Sequence, residues 1–131
     1  MAYRFREHTA ELELELSGST EAGVFEAALE ALGELVSSDG GGTPAEHALE
    51  LPSGEHALLL VDWLNELLFL AEVERFVPER LVSFDLSDDG LRSVVAGRRS
   101  HPRHLVKAAT LNRIELGQQE GSWHARLVLD V

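Results

Sequence analysis

The stretch YRFREHTAELELEL, residues 3–16, changes its pattern halfway along. Tyr3 and Phe5 alternate with Arg4 and Arg6, so the apolar positions are odd. Leu12, Leu14 and Leu16 then alternate with Glu11, Glu13 and Glu15, so the apolar positions are even. Period-two alternation is the mark of a strand with one dry and one wet face. No continuous strand moves its apolar set from odd to even, because a slip of one residue sends every side chain to the other face. Residues 7–11 (EHTAE) must therefore hold a bulge, bend or turn. Irregular backbone of this kind aims side chains, which makes Glu7, His8 and Glu11 the first candidates for function.

Outward from there, residues 17–20 (SGST) supply a turn and a helix cap. Phe25, Ala28, Leu29, Leu32 and Val36 follow helical spacing from Glu21 onward. Residues 37–43 (SSDGGGT) end that helix in a loop, and residues 48–51 read as a short strand. Residues 56–74 form the strongest helix. Leu60, Leu64, Leu67, Leu68 and Ala71 make its stripe, Trp63 and Leu70 lie beside it, and Asp62, Asn65 and Glu66 share the opposite face. Pro78 marks the exit. Residues 82–86 and 91–96 read as a hairpin around residues 87–90. A basic loop, residues 97–104 (GRRSHPRH), leads into a strand over residues 105–116. Trp123, Ala125, Leu127 and Leu129 alternate with His124, Arg126 and Asp130 in a closing strand. Helices and strands do not alternate regularly, so the chain is α+β. The expectation is a single two-layer domain over residues 1–131, with two helices on one face of a largely antiparallel sheet.

Composition narrows the function classes. At 131 residues, 44% hydrophobic and 26% charged, the chain is long enough for one core and too rich in apolar residues for disorder. With no cysteine, disulfides, thiolate zinc sites and cysteine nucleophiles are excluded. The longest apolar runs, residues 57–61 and 67–71, are far short of the ~18 residues a membrane span needs. Arg4, Arg6 and Glu7 interrupt any apolar leader, so the expected location is cytoplasmic, away from membranes. Residues 1–90 hold twenty acids against four arginines, whereas residues 91–131 hold three acids against six arginines and one lysine. A net charge of −12 repels phosphate backbones, so no stable direct binding of nucleic acid is expected. A basic protein surface or a divalent cation suits the acidic part better.

Nucleophile elbows, Walker loops and dense histidine ligand strings are absent. His47 and His56 read as ordinary surface histidines. Hard divalent cations take several carboxylate oxygens from separate parts of a chain. If the first and last strands are neighbours, Asp130 can meet Glu7 or Glu11. Lys107 is the only lysine beside ten arginines, and an ammonium is not replaceable by a guanidinium at a tight site. Arg98, Arg99, His101, Arg103 and His104 offer a grip on phosphates or on an acidic partner.

In order along the chain, residues 3–11 (YRFREHTAE), residues 62–70 (DWLNELLFL), His101 with Pro102, residues 106–110 (VKAAT) and residues 128–131 (VLDV) resemble the archease family. The likeness spans nearly the whole chain. It implies an accessory protein, not an enzyme in its own right, that activates a tRNA-splicing RNA ligase. The expected action is to promote guanylylation of the ligase's active-site histidine and so multiple turnover, with GTP reaching the chain only through the ligase. The implied site is an acidic cluster with a divalent metal ion (calcium, magnesium or manganese). Carried over by position, Glu7, Glu11 and Asp130 hold the metal, His8 stands beside them, and Lys107 is the catalytic cation. The family carries aspartate where this chain has Glu7 and Glu11, and each glutamate reaches ~1.5 Å farther by one carbon–carbon bond. Two other classes stay in view: a chaperone-like adaptor for RNA-processing enzymes, and a metal-dependent hydrolase using the same carboxylates.

Overall fold

In the computed structural model, the change of parity is a hairpin. The structure describes residues 2–8, 11–36, 41–101 and 108–130, with residue 2, residues 6–8 and residues 108–113 by backbone alone. Strand β1 (Ala2–His8) pairs antiparallel with β2 (Glu11–Gly18), Tyr3 opposite Leu16 and Phe5 opposite Leu14. Paired residue numbers total 19 throughout, an odd number, so positions that share a face are odd on β1 and even on β2. That arithmetic is what the switch from odd to even recorded. Residues 9 and 10, which join the strands, lie outside the described residues.

The helices follow from capping and spacing. Helix α1 (Glu21–Val36) starts at Thr20, whose Oγ1 accepts the backbone N–H of Gly23 at 3.0 Å. After β3 (Thr43–Pro52) comes α2 (His56–Val73), whose Leu60, Leu64, Leu67 and Ala71 are buried. The two helix starts are tied together by His56 Nδ1 and Glu21 Oε2 at 2.8 Å, so this histidine joins two elements.

Strands β4 (Phe76–Ser87), β5 (Gly90–Arg99), β6 (Ala108–Gln119) and β7 (Ser122–Asp130) complete the described elements. They fall into two antiparallel sheets, β1-β2-β7-β6 and β3-β5-β4. The α+β class, the antiparallel pairing and the two helices are as expected, with the strands divided between two sheets. Helix α1 packs on β4 and β2, and α2 packs on β6, β4 and β3, so both sheets share one core. Phe25, Trp63 and Phe84 meet there with ring centroids 5.2–5.8 Å apart. Trp63 Nε1 donates to Ser93 Oγ at 3.0 Å, which satisfies both buried polar groups.

Two elements run longer than their sequence patterns. Strand β3 begins at Thr43, and β4 begins at Phe76, so Pro78 lies inside a strand. That position is tolerated because β4 is an edge strand and bulges between Pro78 and Arg80. Among the described residues, no helix is long and apolar enough to cross a membrane.

Candidate functional site

Four strands end together at one edge of the sheet β1-β2-β7-β6, and their last register row carries polar residues. His8 is opposite Glu11, Glu11 is opposite Asp130, and Asp130 is opposite Ala108. Glu11 and Asp130 are both half-buried. Directly opposed residues on antiparallel strands hold their Cβ atoms about 4.5–5.5 Å apart, and like charges in that relation are destabilising. Here the pairing sets acid against acid.

Farther along that face, acids meet arginines. Glu15 receives Arg4 at 2.7 Å, and Glu13 receives Arg126 Nε at 3.1 Å, with Arg126 reaching Glu115 at 3.7 Å. Each of these glutamates meets a guanidinium, and the register neighbour of Glu11 on β7 is a second carboxylate. A surface depression of about 420 Å³ lies farther along the same sheet. Glu15, Glu115, His124 and Arg126 line it, and Arg126 is engaged with Glu13 and Glu115, so the depression holds none of the expected site residues.

The structure thus brings Glu11 and Asp130 into one row, with the backbone of His8 completing it. Glu7 falls in the next row, opposite Leu12, which in turn is opposite the core residue Leu129. Lys107 lies outside the described residues; its chain neighbour Ala108 is opposite Asp130. Among the described residues, no three of His, Asp and Glu gather as a metal-binding group. The donor set of Glu11 and Asp130 nevertheless suits a hard divalent cation, since both offer carboxylate oxygens from adjacent strands and a cation relieves their repulsion.

The basic segment is partly engaged within the fold. Arg98 Nε meets Glu79 at 3.1 Å and its Nη1 donates to the Gly41 carbonyl at 3.1 Å, while Arg99 reaches Glu74 at 3.5 Å. His101 lies against Arg75 Nη1 at 3.0 Å. Arg75, which has no place in the sequence reading, sits at φ 56° just beyond the end of α2, and its carbonyl accepts the Ser100 N–H at 2.8 Å. His47 packs its ring on Phe76 with centroids 4.6 Å apart.

Residues 3–131 match the Archease protein family (MTH1598/TM1083). The chain is similar to the archease of Methanosarcina mazei, 32% identical over 98% of this chain and 95% of that protein. It is also similar to the archease of Archaeoglobus fulgidus, 31% identical over the full length of both. The solution structure of Methanobacterium thermoautotrophicum protein 1598 superposes with a TM-score of 0.75 at 30% identity, covering 98% of each chain. The crystal structure of a Thermotoga maritima archease, a possible chaperone, gives a TM-score of 0.71 over 96% of this chain and 94% of that one. At 20% identity, that last likeness concerns the fold alone.

Proposed function

This chain belongs to the archease family, and on that premise we propose that it is a cytoplasmic accessory protein of a tRNA-splicing RNA ligase. Its role is to promote guanylylation of the ligase's active-site histidine, with GTP held by the ligase. The observation that carries the reading is the register that sets Glu11 of β2 opposite Asp130 of β7, acid against acid at the end of the sheet. Glu11 and Asp130 hold a divalent cation (calcium, magnesium or manganese). When bound, the cation supplies positive charge for nucleotide phosphates in transfer. Lys107, one residue before the strand position opposite Asp130, adds a compact ammonium that contacts the transferring phosphate. The sheet's contribution is rigidity: β2 and β7 fix the two carboxylates before the partner arrives, so ordering them costs little at the moment of docking.

The test is single-turnover guanylylation of the ligase with labelled GTP, run with this chain and with Asp130→Asn and Lys107→Ala. Acceleration by the wild-type chain that either substitution removes is expected. An unchanged rate with every divalent metal tried overturns the reading. A second reading, a chaperone-like adaptor for RNA-processing enzymes, is favoured by large apolar side chains left exposed on α2. Ligase binding without any effect on rate, kept after Glu7, Glu11, Lys107 and Asp130 are all neutralised, would select it.

A further inference from the structure

Helix α2 buries one side and leaves an unusual other side. On a helix turning about 100° per residue, Leu58, Asp62, Asn65, Glu66, Phe69, Glu72 and Val73 fall on one arc. All of these are exposed except Asn65, which is half-buried. Phe69 is 56% exposed, Val73 57% and Leu58 38%, so three of the four exposed large apolar side chains among the described residues lie on this helix. Asp62, Glu66 and Glu72 frame them. Among the described residues no ion pair engages these three acids, although elsewhere Glu13, Glu15, Glu50, Glu74 and Glu79 meet arginines.

We propose that this arc of α2 is a docking surface for a basic protein surface that carries an apolar anchor. Charge selects the occupant. A second copy of the chain would set three carboxylates against three more, and anionic lipid or nucleic acid would meet the same repulsion within a net charge of −12. Lysines or arginines around an apolar side chain satisfy both halves of the arc, the apolar side chain packing on the exposed Phe69 ring. The surface also has a place relative to the acidic row. The Glu21–His56 contact holds both helix starts together, and Gly33, late in α1, lies against Pro78 just past α2. Both helices therefore run the same way, and α1 turns back along β2 from its close approach at Gly18 and Gly23. Phe69 and Val73 thus stand toward the sheet end that holds Glu11 and Asp130. Resting on the function proposed above, the protein that brings this basic surface is the ligase.

Two probes separate the claims. The first is a synthetic helical peptide with leucines at i and i+4 flanked by lysines, beside a version with glutamates for lysines. Titrated into the labelled protein, the lysine peptide is expected to move amide resonances of α2 around Phe69 and Val73. The Phe69→Ser/Val73→Ser variant should bind it about tenfold more weakly, with its thermal midpoint unchanged because both side chains are exposed. Equal binding by the glutamate peptide, or lysine-peptide binding untouched by the double variant, overturns the proposal. The second probe is the ligase, for which the double variant should raise Kd about tenfold while saturating variant restores the rate. A ligase Kd untouched by the double variant overturns the docking surface and leaves the accessory function standing. A chain that takes the lysine peptide through α2 yet never binds the ligase supports the surface and overturns the accessory function.

Discussion

Asp130 and Glu11 are opposite each other across β7 and β2, and this one relation carries a stability prediction. Without divalent metal, Asp130→Asn removes a like-charge pair worth roughly 0.2–1 kcal/mol, so the thermal midpoint in EDTA should rise by about 1–4 °C. Adding calcium or manganese should raise the wild-type midpoint and leave the variant where it was. A midpoint that falls on substitution in EDTA would mean that Asp130 has a structural partner instead. Trp63 offers a contrasting case in the core. Trp63→Phe leaves the Ser93 hydroxyl buried without its donor, at a cost of about 1–3 kcal/mol by denaturant unfolding. Adding Ser93→Ala to that variant should recover part of the loss, because the orphaned group is then gone.

Caps and close approaches set the elements. Thr20→Ala removes the acceptor for the Gly23 N–H and should cost about 1 kcal/mol of stability, read from denaturant midpoints. Gly33→Ala should cost more, about 1–3 kcal/mol, although alanine favours helices. Its Cβ would stand 2.5 Å from the Pro78 carbonyl oxygen, so α1 and β4 would have to move apart. Most of the elements were legible from periodicity alone, α2 most plainly through Leu60, Leu64, Leu67 and Ala71. Its polar face was legible through Asp62, Asn65 and Glu66. Reading residues 67–71 as one apolar run, however, hides that Phe69 stands seven residues from Asp62 and four from Asn65, on that same face. The length of β4 was hidden by Pro78, a breaker in most contexts that an edge strand accepts.

At the scale of the whole molecule, pairing between distant strands was the part the sequence could not carry. Alternation fixes which residues share a face and says nothing of which strand lies beside which, so the division into two sheets had no local signal. The candidate site was legible up to one condition, that the first and last strands are neighbours. β7 lies between β2 and β6 and not beside β1, so Asp130 is opposite Glu11, while the β1–β2 register puts Glu7 in the row of Leu12. The acidic excess of residues 1–90 likewise had no address until the exposed Asp62, Glu66 and Glu72 of α2 gave part of it one face. The central claim is that this chain speeds an RNA ligase through its acidic row. Its most direct measurement is multiple-turnover ligation by the RNA ligase of the same organism, with the chain absent, present, or carrying Asp130→Asn. The account predicts several ligations per ligase molecule with the wild-type chain, and close to one without it or with the variant. Equal turnover in all three reactions would contradict it.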